Sequence, residues 1–202
     1  MKPSWLCVFV FFFASLSAPS VKGFAQASLA DRIQAGDRKA ALQMIRAGAN
    51  VNAPQPDGAT PLHWAVYRVD VDLVEQLLAR GAKPNVVTRY GSSPLGEAVK
   101  VADTRLVEML LKAGANVDTA NEDEQTPLML AARNGTVEVA ELLVRHRADV
   151  DAKEQWRGQT ALMWAAAENH PEMVEFLLQK GAQVNVRAEA NDWPSQITSE
   201  PR

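Results

Sequence analysis

Between residues 57 and 85 the apolar and polar positions fit two short helices joined by a tight turn. Leu62, Ala65 and Val66 form a first apolar stripe. Val69, Asp70, Val71 and Asp72 interrupt it, and Leu73, Val74, Leu77 and Leu78 restart it at i, i+1, i+4 and i+5, which is helical spacing. Thr60 stands where an N-cap hydroxyl accepts from an orphan backbone N–H, and Pro61 takes the first helical position, where a missing N–H costs nothing. Gly81 closes the second helix, because glycine enters the left-handed conformation without steric cost. Two helices of about 8 to 10 residues bury little alone, so the pattern predicts a neighbour of the same kind.

That neighbour is repeated along the chain. Thr60-Pro61-Leu62 returns as Ser93-Pro94-Leu95, Thr126-Pro127-Leu128 and Thr160-Ala161-Leu162, at spacings of 33, 33 and 34 residues. The closing glycine returns as Gly48, Gly81, Gly114 and Gly181, with Arg147 in the fourth place. A polar-Val-polar tail follows most of them, as in Asn50-Val51-Asn52, Asn116-Val117-Asp118, Asp149-Val150-Asp151 and Gln183-Val184-Asn185. The period and the Thr-Pro-Leu-His start resemble the ankyrin repeat over residues 28–185. The resemblance implies an all-α repeat solenoid, each unit a helix-turn-helix plus a β-hairpin finger. The units fall at 26–53, a divergent N-terminal cap, then 54–86, 87–119, 120–152 and 153–186. Residues 187–202 read as an extended tail or the start of an interrupted further repeat, which suggests a piece of a longer chain.

Departures from the pattern carry expectations of their own. The first repeat lacks a Thr-Pro start and is rich in charge from Asp31 to Lys39, as suits a cap with one face in water. Pro54 and Pro56 stiffen the loop into the second repeat. In repeat four Glu124 and Arg147 replace glycines; if both keep φ > 0, each costs on the order of 1 kcal/mol, making this the weakest interior unit. The extra residue before repeat five falls in 153–158 and places Trp156 on a projecting loop. There it either folds back on its neighbouring finger or contacts a partner. Trp64 and Trp164 follow the helix-start histidine position, where the resemblance implies core packing.

Chemistry is sparse. The family's helix-start histidine, which the resemblance gives a structural bond to its own threonine and to a neighbouring backbone, occurs once, at His63. Gly96, Met129 and Met163 replace it elsewhere. His63, His146 and His170 fall at different phases of the repeat, and no cysteine or carboxylate cluster joins them at ligand spacing. No nucleophile elbow, phosphate-cradling glycine loop or zinc-protease motif is present. The expectation is a non-enzyme with no cofactor and no metal.

The N-terminus changes the compartment. Lys2 precedes an apolar run over residues 5–16, and Gly23-Phe24-Ala25 offers a signal-peptidase site, so residues 1–25 read as a signal peptide cleaved before Gln26, with Ala27 as second choice. Twelve apolar residues are too few to span about 30 Å of hydrocarbon, which disfavours a membrane anchor. Cleavage removes Cys7, the single cysteine, together with Lys2 and Lys22, leaving 19 basic against 24 acidic residues and a net charge of −5. That balance argues against nucleic acid or an anionic membrane as the main partner.

The reading is therefore an exported, monomeric scaffold, periplasmic or extracellular and bacterial, that binds a protein partner. One alternative is an accessory or regulatory segment of a longer exported enzyme or toxin. Another is a secreted eukaryotic protein bearing a glycan at the Asn134-Gly135-Thr136 sequon. The resemblance places binding on the concave face. From repeat two it offers Asp57, Ala59, Tyr67 and Arg68; from repeat three Arg89, Tyr90, Ser92 and Lys100. Asp123, Gln125, Arg133 and Asn134 come from repeat four, and Trp156, Arg157, Gln159 and Glu168 from repeat five. Tyrosine, tryptophan and arginine dominate binding hot spots, which favours Tyr67, Tyr90, Trp156 and the four arginines.

Overall fold

The computed structural model describes residues 27–188, so the signal segment with its cleavage site and the tail beyond residue 188 lie outside the described residues. Within them, helices come in five pairs. They are α1 (Leu29–Gln34) with α2 (Arg38–Arg46), α3 (Pro61–Tyr67) with α4 (Val71–Ala79), and α5 (Pro94–Lys100) with α6 (Thr104–Lys112). The series continues with α7 (Pro127–Asn134) and α8 (Val137–Arg145), then α9 (Ala161–Ala167) and α10 (Pro171–Gln179).

Local chemistry starts each helix. The Ser93 hydroxyl accepts from the Gly96 N–H at 3.1 Å, and Thr160 plays the same part for Met163. Aspartates start the second helices: Asp37, Asp70 and Asp103 each accept from a backbone N–H three residues on, at 3.0–3.1 Å. Such caps satisfy donors that the helix itself leaves orphaned.

No helix here is long enough to stand alone, so burial between copies supplies the stability. First helices stack in order, α1 on α3, α3 on α5, α5 on α7 and α7 on α9. The second helices stack behind them, α4 on α6, α6 on α8 and α8 on α10. Leu62, Ala65, Val66, Leu73, Val74 and Leu77 are all buried in one continuous core, while Leu78 is half-buried at its edge. The ankyrin-like helical solenoid expected from the period is present.

One expectation needs correction. The fingers contain no β-strand among the described residues. Each is a hairpin-shaped loop closed by a backbone bond, such as Gln55 N–H to the Ala59 carbonyl or Thr88 N–H to the Ser92 carbonyl. Between fingers two and three the bridging backbone bond is Arg89 N–H to the Asp57 carbonyl, too little for a ladder. The extra residue of finger five lengthens its closure to Glu154–Gln159.

Backbone strain is shared more widely than the glycine replacements alone indicate. Glu124 and Arg147 do hold positive φ, 55° and 70°. Repeats two, three and five carry one such residue each, Val69 (55°), Ala102 (56°) and Asn169 (59°), at the turn between paired helices, against the two of repeat four. At that turn repeat four has Gly135 instead. The cost of left-handed residues is spread along the solenoid, with β-branched Val69 the least suited to it.

The polar-Val-polar tails form a ladder. The Asn52 amide donates to the Gly81 carbonyl at 2.9 Å, while its oxygen accepts from the Lys83 N–H. Asn85 repeats both bonds with Gly114 and Asn116. Asp118 and Asp151, lacking an amide donor, keep only the accepting side, from Asp149 and Gln183 N–H, with the Gln183 side-chain amide adding a second bond to Asp151.

Candidate functional site

The exposed aromatic side chains among the described residues are Tyr67, Tyr90 and Trp156, at 59%, 63% and 74% exposure. All three line grooves between fingers. The first groove, about 320 Å³, lies between fingers two and three and takes Asp57, Trp64, Tyr67, Tyr90 and Glu97 into its walls. The second, about 430 Å³, lies between fingers four and five, with Asp123, Trp156, Arg157 and Trp164 among its walls.

His63 holds the floor of the first groove in place. Its Nδ1 accepts from the Thr60 N–H at 3.1 Å and lies 2.9 Å from the Thr60 hydroxyl. Nε2, left to carry the proton, reaches the Ser92 carbonyl of the next finger at 3.2 Å. Burial pushes the imidazole below its ordinary pKa, partly opposed by the Ser92 carbonyl and the Glu97 charge. It is a neutral strut, in agreement with the structural role the histidine was given. In repeat four Met129 stands in, its sulfur accepting from the Thr126 N–H at 3.4 Å. Among the described residues no group of three or more His, Cys, Asp or Glu is placed to hold a metal.

Both helix-start tryptophans, Trp64 and Trp164, pack against the core as the resemblance implies, but each is half-buried and also lines a groove. The Trp64 indole N–H donates to the Gln55 side-chain carbonyl at 2.5 Å. The Gln55 amide is in turn held by Asp31 at 2.6 Å and Gln34 at 2.9 Å in repeat one, so the ring is anchored across two repeats. In finger five Glu154 starts the closure that Gln55 starts in finger two. Its carboxylate, only 4% exposed, turns back to accept from the backbone N–H groups of Trp156, Arg157 and Gln159 at 2.6–3.0 Å. The Trp164 indole N–H is consequently buried without a partner. Arg133 covers that ring at 5.4 Å and pairs loosely with Glu168 at 3.8 Å.

The residues anticipated for binding therefore separate. Asp57, Tyr67 and Tyr90 meet in the first groove, Trp156 and Arg157 in the second, with Arg133 beside the latter. Ser92 lines the first groove, and Asp123, Gln125 and Gln159 the second, while Asn134 is exposed at the end of α7. Ala59 is a groove residue too, but it is buried at 4% exposure rather than displayed. Arg68 turns away, its guanidinium lying over Gly36, where a Cβ would come within 2.7 Å, and donating to the Gln34 carbonyl at 3.3 Å. Arg89 is tied to the Pro56 carbonyl at 2.9 Å and Lys100 to Glu97 at 3.0 Å. Gln55, Glu97 and Glu154 belong to the site and escaped notice in the sequence, because none carries a motif.

A family model described as ankyrin repeats (3 copies) matches residues 29–121 and again 95–188. No curated protein matches the chain.

Proposed function

Since this chain belongs to the ankyrin repeat family, whose repeats generally mediate protein–protein interaction, we propose that it is a non-enzymatic, exported scaffold whose partner seats on the finger side of the solenoid, the concave face. The observation that carries the reading is the placement of exposed aromatics. Tyr67, Tyr90 and Trp156 all lie at two finger grooves. Large rigid rings at the mouths of concavities give much contact area for few lost rotamers, which is how hot spots arise. The rings rest on walls already fixed by packing and by the Gln55 and His63 bonds, so little ordering is left for binding to supply.

Export rests on the N-terminal apolar run and its cleavage motif, and the protein acts as a monomer that presents one face. Affinity capture from native material, followed by hydrogen-exchange footprinting of the captured complex, tests the proposal. Protection is expected at the fingers around Tyr90 and Trp156. Protection confined to the second helices, α4, α6 and α8, would refute it.

A further inference from the structure

We propose that the groove between fingers two and three receives a cationic side chain, an arginine or lysine carried by an extended segment of the protein partner. This rests on the reading above that the finger side is the binding face, and it adds the chemistry of one pocket. Trp64, Tyr67 and Tyr90 wall the groove. Trp64 and Tyr67 meet edge to face, centroids 5.8 Å apart and planes at 86°, so their π-faces point in different directions around the space. A cation is attracted to such faces, and aromatic enclosures of this kind suit guanidinium and ammonium groups. The Trp64 ring is fixed in advance through its 2.5 Å bond to Gln55.

The charge of the lining points the same way. Asp57 and Glu97 are acidic, no lysine or arginine lines the groove, and burial disfavours the charged form of His63 at its floor. Each carboxylate uses one oxygen within the chain. Asp57 Oδ1 accepts from the Ala59 N–H at 2.9 Å, and Glu97 Oε1 takes the Ser92 hydroxyl and the Lys100 ammonium. Asp57 Oδ2 and Glu97 Oε2 have no hydrogen bond among the described residues. Of the neighbouring cations, Arg89 is held at the Pro56 carbonyl and Arg68 at the Gln34 carbonyl, while Lys100 pairs with Glu97 and offsets part of its charge, which leaves Asp57 as the uncompensated acid of the lining. An anionic side chain would meet the Asp57 charge and the part of the Glu97 charge that Lys100 leaves uncompensated. A purely apolar one would take water from Asp57 Oδ2 and Glu97 Oε2, the oxygens with no bond within the described residues, and offer nothing in return.

The form of the occupant follows from the stacking. Packed helices lie about 8–10 Å apart, so the two finger grooves, two repeats apart, are separated by roughly 20 Å. About six residues of extended chain cover that distance. A single extended segment can thus place a cationic side chain in the first groove and continue past Trp156.

The test titrates the full-length ¹⁵N-labelled protein with N-acetyl-arginine amide, N-acetyl-lysine amide and the neutral isostere N-acetyl-citrulline amide. The reporter is the Trp64 indole N–H, assigned by its absence in Trp64→Phe. Arginine and lysine should shift it saturably, with citrulline about tenfold weaker. Asp57→Asn/Glu97→Gln, which keeps an amide oxygen to accept from the Ala59 N–H, the Ser92 hydroxyl and Lys100, should weaken arginine by about tenfold. Citrulline equal to arginine, no shift at Trp64 with arginine amide, or full arginine affinity in the double variant would overturn the proposal. If those results accompany partner binding that still fails in Tyr90→Ala, the binding face stands and the cation alone is lost. Partner binding indifferent to Tyr90→Ala would remove the face itself.

Discussion

Arg147 offers the cleanest perturbation of the repeat. It holds φ of 70° where its counterparts Gly48, Gly81, Gly114 and Gly181 hold 81–91°. A Cβ built on any of those glycines meets nothing within 4 Å, so the site has room for a side chain and the cost at Arg147 is torsional. Arg147 is exposed, and its side chain makes no hydrogen bond or ion pair among the described residues, so Arg147→Gly gives up no polar contact. Relief of a left-handed L-residue is worth about 1–2 kcal/mol. Glycine returns about 0.5–1 kcal/mol of this through the freedom it adds to the unfolded chain. At the middle of these ranges the net gain is about 0.5–1 kcal/mol, or roughly 1–4 °C in Tm for a chain of this size. Gly114→Ala should lose a similar amount, since it imposes the same torsion in the same open space. Urea unfolding followed by far-UV circular dichroism measures both, with an unchanged slope confirming an unchanged folded state. A neutral or lowered midpoint in Arg147→Gly would refute the torsional argument, and so would a raised one in Gly114→Ala.

Three further outcomes are expected. Asp118→Asn should restore the missing rung of the tail ladder by donating to the Arg147 carbonyl, raising stability by about 0.5–1 kcal/mol in the same assay; no gain would mean the rung cannot form. His63, whose folded pKa is depressed below the ordinary 6.5, contributes stability that is intact above that pH and drains away as pH falls from there through the folded value. The unfolding free energy should therefore decline on the acid side of 6.5, and His63→Asn should flatten the decline; an identical slope in the variant would contradict this. N-terminal sequencing of native protein should find Gln26 or Ser28 first, and recovery of Met1 would defeat export.

What the sequence disclosed and what it concealed have a common physical reason. Helix starts and stops depend on residues within one turn of each other, such as Thr60 with Pro61 or the glycine at 81. A local pattern repeated five times is enough to place them. The resemblance implies core packing for Trp64 and Trp164, and both do pack against the core, but only in part. Their actual position at a seam depends on how far apart adjacent fingers stand. The deflection of Arg68 depends on a carbonyl at Gln34 and an open glycine at 36, both a full repeat away. Glu154 is hidden for a subtler reason: the one-residue insertion creates a turn with three backbone donors, and only the folded loop shows that the carboxylate fills it. The resemblance implies β-hairpin fingers, yet the bonds across each finger are too few to make a ladder.

The central claim, that the finger side binds the partner, is tested most directly by calorimetric titration of the captured partner. Tyr90→Ala and Trp156→Ala should each weaken binding by roughly 1–4 kcal/mol while their unfolding midpoints stay close to the parent's. Glu141→Ala, on α8 and exposed in an ion pair with Arg145, should bind as the parent does. Parent-like affinity in both aromatic variants, or a loss in Glu141→Ala alone, would contradict the account.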